Sequence, residues 1–468
     1  MNLLPEQPVL TLDDYLALGG GQGLANARRD GPDATIERVQ AAGLRGRGGA
    51  GFPTAIKWRS VREAPGSEKY VVGNGAEGEP GTFKDRTIMR YNPYQIVEGA
   101  AIAGFVVDAR AIYIVTKGSF TREVRRMRRA IADLEQAGIV GDIPIHLVEG
   151  PDEYLFGEET GALEVVEGND PLPRHVRPFE HGLFATAPQL GWWPHDPQPG
   201  ERGVFTTNPT VVSNVESMSH ANWIMTFGPD EFRKVGSPNC PGTMVFTVCG
   251  DIAVPGVYEL PMGTPLRTLV EDVGGGTQSG RPVKMMLSGV ANPTMTVDEM
   301  DAPLDFPSMT ARGTGLGSGG YVVYDDAMCA VAVARAFSRF LAVESCGQCP
   351  PCKLGTTQLT TTLEKIEAGR GDATDVGVLQ RTLATVTDAN RCYLGQEEQR
   401  VVGSLLERFP EDFETHLAGE CHLRHDVMVP KIKDFDPSGH FVYDERQLYK
   451  RPDWSYADVP VTVTAVAH

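Results

Sequence analysis

The first forty residues carry a helical pattern that ends near "RVQAAGL". A glycine-dense segment follows, "GLRGRGGAGFPTAIKW", from Gly43 to Trp58. β-rich runs such as "KYVVGNG" and "AIYIVT" then alternate with helical ones, among them "TREVRRMRRAIADLEQAG". Strands alternating with helices predict an α/β domain with a parallel sheet, running to about Phe227. Within it, Pro188 to Pro209 contains "QLGWWPHDPQPGERG", whose Pro, Gly and Trp content reads as a long surface loop or hairpin. After Pro238 the texture changes. "GTMVFTVCGDIAVPGVYELPMGTPLRTLVEDVGGG" predicts a strand, a Pro-Gly turn, a second strand and a short helix, together a small β-rich module. From Asp326 a helical period takes over in "DAMCAVAVARAFSRFLAVES", "KLGTTQLTTTLEKIEAG", "DVGVLQRTLATVTDAN" and "GQEEQRVVGSLLERF", which reads as a helical bundle. The tail "GHFVYDERQLYKRPDW" reads as an extended arm or hairpin.

Composition narrows the classes. With 468 residues the chain holds about three domains, and 41% hydrophobic residues suffice for real cores. No apolar run reaches the length of a membrane span, and the N-terminus has acids where a signal peptide needs basic residues, so a cytoplasmic protein is expected. A net charge of −18 argues against nucleic acid as a partner.

The eight cysteines are uneven. Cys346, Cys349 and Cys352 stand at C-x2-C-x2-C in "ESCGQCPPCKLG", and Cys392 follows in "NRCYLGQEEQ" between two predicted helices. Zinc sites usually pair cysteines or combine cysteine and histidine pairs. Three thiols on one loop and one remote thiol suit the corners of an iron–sulfur cube better, so Cys346, Cys349, Cys352 and Cys392 are expected to ligate a [4Fe–4S] cluster. Cys240, Cys249, Cys329 and Cys421 stand singly, without mutual ligand spacing, and read as structural thiols.

The glycine segment offers bare backbone that can approach a phosphate, with Arg47 and Lys57 as sources of charge; it equally suits a flexible turn, and G-x-G-G-x-G is not a dinucleotide-binding fingerprint. "GNGAEGEPGTFKDR" and "YLFGEETGALEVVEG" place Asn74, Glu77, Glu79, Glu158 and Glu159 among glycines. Carboxylates there suit hydroxyls of a ribose or ribityl chain, or simply a solvated loop.

In combination and in order, "GLRGRGGAGFPTAIKW", "EGEPGTFKDR", "YLFGEETGALE", "NPTVVSNVES", "GVYELPMGTPLRTL" and "ESCGQCPPCKLGT" with Cys392 resemble the NADH-binding FMN/[4Fe–4S] flavoprotein subunits of respiratory complex I, and the diaphorase subunits of NAD-linked formate dehydrogenases and hydrogenases. The resemblance covers about Thr11 to Leu417. It implies an α/β multidomain chain: an N-terminal helical segment with the Gly-rich loop (1–55), a Rossmann-like FMN/NADH domain (56–237), a β-grasp module (238–325), a four-helix bundle with the cluster (326–425) and a C-terminal extension (426–468). It implies FMN contacts at Gly46, Arg47, Gly48, Lys57, Asn74, Glu77, Gly157, Glu158 and Asn214, and NAD(H) contacts at Phe52, Glu79, Glu159 and Phe179. Lys57 would meet the flavin phosphate, and the two phenylalanines would face the adenine. No catalytic side chain is expected, because hydride passes directly between NAD(H) and FMN.

The chain departs from the family pattern at Ala76, where an aspartate is usual, at Gly73, at Ser213 and Ser217, and at Val176–Arg177 before Phe179. The departures and the Trp-bearing insertion favour a soluble NAD-linked formate dehydrogenase as host, with complex I as the alternative and a structural subunit that has lost FMN as the second. An RNA- or ligand-binding protein reusing the β-grasp module is disfavoured by the acidic charge and the complete cysteine set. Implied partners are a small thioredoxin-fold [2Fe–2S] subunit and either a larger iron–sulfur or molybdenum subunit or the peripheral arm of complex I. On the complex I reading the location is the cytoplasmic face of the membrane, without insertion.

Overall fold

The computed structural model describes residues 3–65, 68–186, 206–436 and 438–457. The insertion expected to form a loop or hairpin falls largely at 187–205, outside the described residues. The chain divides into two compact units, Met1–Asp326 and Ala327–His468.

The first unit begins with α1 (Leu12–Ala17), α2 (Gln22–Asp30), α3 (Pro32–Ala42) and α4 (Thr54–Glu63). Then come β1 (Tyr70–Asn74), α5 (Lys84–Tyr91), α6 (Pro93–Val107), β2 (Ala111–Lys117), α7 (Thr121–Gln136) and β3 (Ile145–Gly150). A 3-10 turn (Tyr154–Gly157), α8 (Glu159–Val166), β4 (Thr210–Asn214), α9 (Val215–Phe227) and α10 (Pro229–Arg233) complete this part. The four strands form a parallel sheet in the order β3-β2-β1-β4. Val71, Ile112, Ile114, Val115 and Val211 are fully buried, as strands covered on both faces require. α6, "PYQIVEGAAIAGFVV", is buried nearly all round. At its crossing with α9, a Cβ on Gly99 would lie 2.0 Å from the Met218 carbonyl oxygen, so only glycine permits this approach. Its one acid, Glu98, is fully buried and accepts from the Gly21 and Leu24 amides at 2.7 and 2.8 Å. That carboxylate satisfies open donors at the N-terminus of α2 and fastens α2 to α6.

Two short strands, β5 (Gly236–Ser237) and β6 (Cys240–Pro241), lead into β7 (Thr243–Gly250), β8 (Gly256–Pro261), β9 (Val283–Leu287), α11 (Phe306–Ala311) and β10 (Gly320–Asp325). The order is β8-β7-β10-β9, with β7 and β10 parallel at the centre and antiparallel strands outside. Met244, Phe246, Leu266, Leu269, Met286, Tyr321 and Val323 fill its core.

The second unit packs α12 (Ala330–Glu344), α13 (Pro350–Glu367), α14 (Ala373–Thr385), α15 (Leu394–Arg408) and α16 (Pro410–Ala418), followed by the hairpin β11 (Ile432–Phe435) and β12 (Phe441–Tyr443). α16 is an addition to the helices expected from sequence. Pro410 at its first position and Gly419 in a left-handed C-terminal turn bound it. The residues after β12 fold onto the end of α12. Lys450 and Glu344, both buried, pair at 2.7 Å, and Gln447 and Trp454 also donate to Glu344. Among the described residues no helix is long and apolar enough to cross a membrane.

Candidate functional site

β1 has β2 on one side and β4 on the other, so connections diverge at the carboxyl ends of β1 and β4. Ligands of open α/β sheets bind at such a switch point. Asn74 and Asn214 end these strands and lie in register with each other. Asn74 Nδ2 donates to the Gly157 carbonyl at 2.8 Å, and its Oδ1 accepts from Ala76 N at 3.1 Å. Asn214 caps α9 by accepting from Glu216 N at 3.0 Å, accepts from Lys84 Nζ at 3.0 Å, and donates to Asp85 Oδ2 at 2.8 Å.

Beneath the asparagines sits a charge network of residues that the sequence does not mark as site residues. Lys84 Nζ meets Asp85 at 2.7 Å and Glu216 at 2.9 Å, and Glu216 also accepts from Val245 N at 2.8 Å. All three side chains are buried. Burial pulls the Glu216 pKa up, but Lys84, His220 and Arg47 outweigh it and leave it at about 2. Burial dominates at Asp85 and pushes it up to about 6, against Lys84. Burial lowers Lys84, but Asp85 and Glu216 win and its pKa ends above that of an ordinary lysine.

The glycine loop closes on itself through Gly46 N to the Phe52 carbonyl at 2.9 Å and Thr54 N to the Leu44 carbonyl at 3.0 Å. It then feeds directly into the N-terminus of α4. Arg47 anchors the loop from within: its guanidinium is fully buried and donates to the Thr243, Arg45 and Pro241 carbonyls at 3.1, 2.9 and 3.0 Å. Its amide donates to Ser217 Oγ at 2.8 Å, which ties the loop to α9. A Cβ on Gly48 would lie 3.2 Å from Asn214 Cβ, and one on Gly157 would lie 3.1 Å from the Ala76 carbonyl. Two glycine segments therefore present bare backbone at the two asparagines, a cradle that side chains would fill. Ala76 itself is buried in an apolar cluster with Val72, Phe156 and Leu163.

The expected acids divide by use. Glu77 accepts from Asp85 N at 3.0 Å and Arg86 Nε at 2.9 Å. Glu158 caps α8, accepting from the Thr160 and Gly161 amides at 2.8 Å each; burial raises its pKa against those donors. Glu79 accepts from the Tyr154 hydroxyl and Val290 N, both at 2.7 Å. These three are engaged within the protein. Glu159 differs: it stands in the first turn of α8, partly exposed, 3.6 Å from Lys57 and 3.4 Å from Arg177. Lys57 Nζ also donates to the Val212 carbonyl at 2.9 Å. Phe52 and Phe179 are 49% and 46% exposed, unusual for phenylalanine and suited to receiving a flat ligand.

In the helical unit, Cys349 is the N-cap of α13, and Cys352 lies in its first turn. The positive end of a helix dipole there favours a negatively charged cluster. The Arg391 amide donates to Cys349 Sγ at 3.4 Å, which brings the chain next to Cys392 against the three-cysteine loop. Ser345 Oγ lies 3.4 Å from Cys352 Sγ, and Gln348 Nε2 lies 3.6 Å from Cys346 Sγ. Burial, with Cys349 and Cys346 adding to it, pushes the Cys352 thiol up to about 11 against Ser345. Thiols crowded this way need a cation to stay ionised, so the donor set fits an iron–sulfur cluster. Cys240 and Cys249 are buried in the first unit, as structural thiols are. Cys329 and Cys421 are not isolated: the fold brings them together with His416 and His425.

Residues 39–222 match the family described as Nuo51 FMN-binding domain. Residues 245–298 match the SLBB domain, and 332–416 the NADH-ubiquinone oxidoreductase-F iron-sulfur binding region. A subunit of NADH-quinone oxidoreductase from Rhizobium meliloti (strain 1021) is 37% identical over 416 residues, covering 87% of this chain and 94% of the relative. NADP-reducing hydrogenase subunit HndC of Solidesulfovibrio fructosivorans is 33% identical over 87% of this chain and 81% of its own. The crystal structure of an NAD+-reducing [NiFe]-hydrogenase in the H2-reduced state superposes with a TM-score of 0.73 at 30% identity, covering 88% of this chain and 67% of that one. The chain belongs to the NADH-binding FMN/[4Fe–4S] flavoprotein subunits of complex I and hydrogenase-type assemblies. It is an oxidoreductase, an FMN-dependent NADH dehydrogenase subunit with a [4Fe–4S]-binding region.

Proposed function

We propose that FMN lies at the carboxyl ends of β1 and β4, between the Gly46–Gly48 loop and Gly157. The observation that carries this is the meeting of two bare-backbone segments at the register-paired Asn74 and Asn214. Bound FMN supplies hydride exchange with NAD(H) and single-electron exchange with the cluster held by Cys346, Cys349, Cys352 and Cys392. The amides of the glycine loop and the N-terminus of α4 receive the phosphate. Asn74 and Asn214, immobilised by their hydrogen bonds, orient the flavin, and Glu77 and Glu158 act behind them by fixing the α5 and α8 ends. Phe52 and Phe179 offer faces to the adenine. Glu159 accepts from a ribose hydroxyl and repels a 2′-phosphate, while Lys57 and Arg177 hold it in place. Glu79 closes the same region from behind by tying Tyr154 to Val290.

Gly48→Val is expected to abolish the flavin absorption of the purified protein while its iron content stays unchanged. Retention of flavin overturns the placement. NADH is expected to be preferred over NADPH, and Glu159→Gln to narrow the preference; equal rates with both nucleotides in the unmodified protein contradict the role of Glu159.

For the host, the reading is the NAD-reducing subunit of a soluble NAD-linked formate dehydrogenase, supported by the departures at Ala76, Ser213 and Ser217. Electron entry to complex I is the second reading, favoured by the relatives whose names place them in NADH-quinone oxidoreductase. Both take a thioredoxin-fold [2Fe–2S] subunit as a partner. The sheet order β8-β7-β10-β9 supports the β-grasp reading of 238–325, and α12 to α15 support the four-helix reading of 326–425. Alone, the chain with FMN is expected to reduce ferricyanide with NADH and to turn over neither formate nor hydrogen. Subunits that co-purify decide the host: a molybdenum subunit selects the first reading, and quinone-linked subunits the second.

A further inference from the structure

Cys329, His416, Cys421 and His425 each offer one donor atom, and these four atoms all lie within 4.8 Å of one another. Cys329 Sγ is 3.1 Å from His416 Nε2, and Cys421 Sγ is 3.3 Å from His425 Nε2. A tetrahedral zinc ion with bonds of about 2.3 Å to sulfur and about 2.0 Å to nitrogen has donor–donor edges of about 3.3–3.8 Å. The quartet already has the size of a single-ion shell. A [2Fe–2S] centre on two cysteines and two histidines divides its donors between two irons and needs a longer site.

The backbone holds this geometry independently of the side chains. Cys329 N donates to the Arg424 carbonyl at 2.9 Å, and Arg424 N to the Ala327 carbonyl at 2.7 Å, which makes a parallel bridge between Met328 and Arg424. The turn carrying Cys421 and His425 is thereby fixed beside the start of α12. α16 delivers His416 from its last turn. Behind the histidines, the end of α13 supplies acceptors. His425 Nδ1 lies 3.5 Å from Glu367 Oε1, and Glu367 is held in turn by Arg335 Nε at 2.7 Å. The His416 ring meets the Ile366 carbonyl. Each imidazole thus turns Nε2 to a thiol and has an acceptor behind it, as metal-bound histidines do.

We infer that Cys329, His416, Cys421 and His425 bind one zinc ion in a closed, structural S2N2 site. Two thiolates and two neutral imidazoles neutralise the dication, and binding releases the two thiol protons to solvent. No position is left open for a substrate. The ion joins the start of α12, the end of α16 and the turn after it, none of which the cluster cysteines touch in sequence.

The test uses the full chain, purified with its flavin and cluster from zinc-replete cells. Metal analysis is expected to find one zinc per chain beside the cluster iron, with an X-ray absorption shell of two sulfurs at about 2.3 Å and two nitrogens at about 2.0 Å. His425→Cys is expected to keep the zinc and shift the shell to three sulfurs and one nitrogen, a readout that survives whether or not harsher variants fold. Cys421→Ala is expected to lower zinc at least tenfold and leave iron and flavin unchanged. Absence of zinc, a shell without sulfur, an unchanged shell in His425→Cys, or a Cys329–Cys421 disulfide found by thiol counting each overturns the inference.

Discussion

Cys346, Cys349 and Cys352 come from one short turn of chain that runs into the N-terminus of α13, and one more segment carries Cys392. Cys329, His416, Cys421 and His425 come from the entry to α12, the last turn of α16 and the turn beyond it. Three corners of the first set come from local backbone, and one tertiary contact, the Arg391 amide on Cys349, brings in the fourth. The second has no shape until the Met328–Arg424 bridge forms. A site that a bulky inorganic object organises can be written in one stretch of sequence. A site of single-ion size in this unit depends on tertiary contacts, and any change in helix packing reaches it.

Predictions that test this contrast run from the largest effect to the smallest. Cys392→Ser is expected to remove the EPR signal of the reduced cluster and nearly all the iron, while flavin and zinc stay bound. Survival of the signal moves the fourth ligand elsewhere. Lys84→Met strips the cation from Asp85 and Glu216, and removing one partner of a buried charge group costs about 3–5 kcal/mol. Urea unfolding is expected to show that loss in the first unit only, with both metals retained in the second. Glu367→Gln withdraws charge from behind His425 and is expected to weaken zinc about 10–100-fold in a chelator competition, with iron unaffected.

The smallest effect concerns Glu398, which is fully buried in α15. Burial pushes its pKa up to about 8 against a hydrogen bond from Ser338. The unfolded carboxyl titrates near about 4.3, so the folded state holds the proton more tightly. Its contribution is fully present below about pH 4.3 and is lost as pH rises through about 8. Melting of the second unit between pH 6 and 8 is expected to show a decline that Glu398→Gln reduces by on the order of 1 kcal/mol. Parallel declines in both proteins refute this.

The parallel sheet is legible in the sequence because its strands are short apolar runs between helices, and the cluster loop because C-x2-C-x2-C needs no distant partner to be recognised. Glu158 is legible as a carboxylate among glycines, but its role as the N-cap of α8 is not, because the capping geometry depends on where that helix begins. Lys84 and Asp85 lie in a matching segment, but the sequence assigns them no role. Only the placement of Glu216 under β7 balances their charge in the interior, and no local pattern carries that. α16 escapes sequence reading despite Pro410 and Gly419, because nine residues rich in acids give little apolar period. With it goes His416, and with His416 any reason to connect Cys329 to Cys421.

The clasp of Lys450 on Glu344 gives the second unit an order in time. At about 5–20 residues per second, Lys450 leaves the ribosome some 5–20 s after Cys352. Through that interval Glu344, two residues before Cys346, lacks the closer of its two lysine partners, with only Lys431 at 3.8 Å preceding Lys450 in the chain. The end of α12 that leads into the three-cysteine loop is therefore the last part of the helical unit to have its charge balanced, because the balancing ammonium lies about a hundred residues downstream.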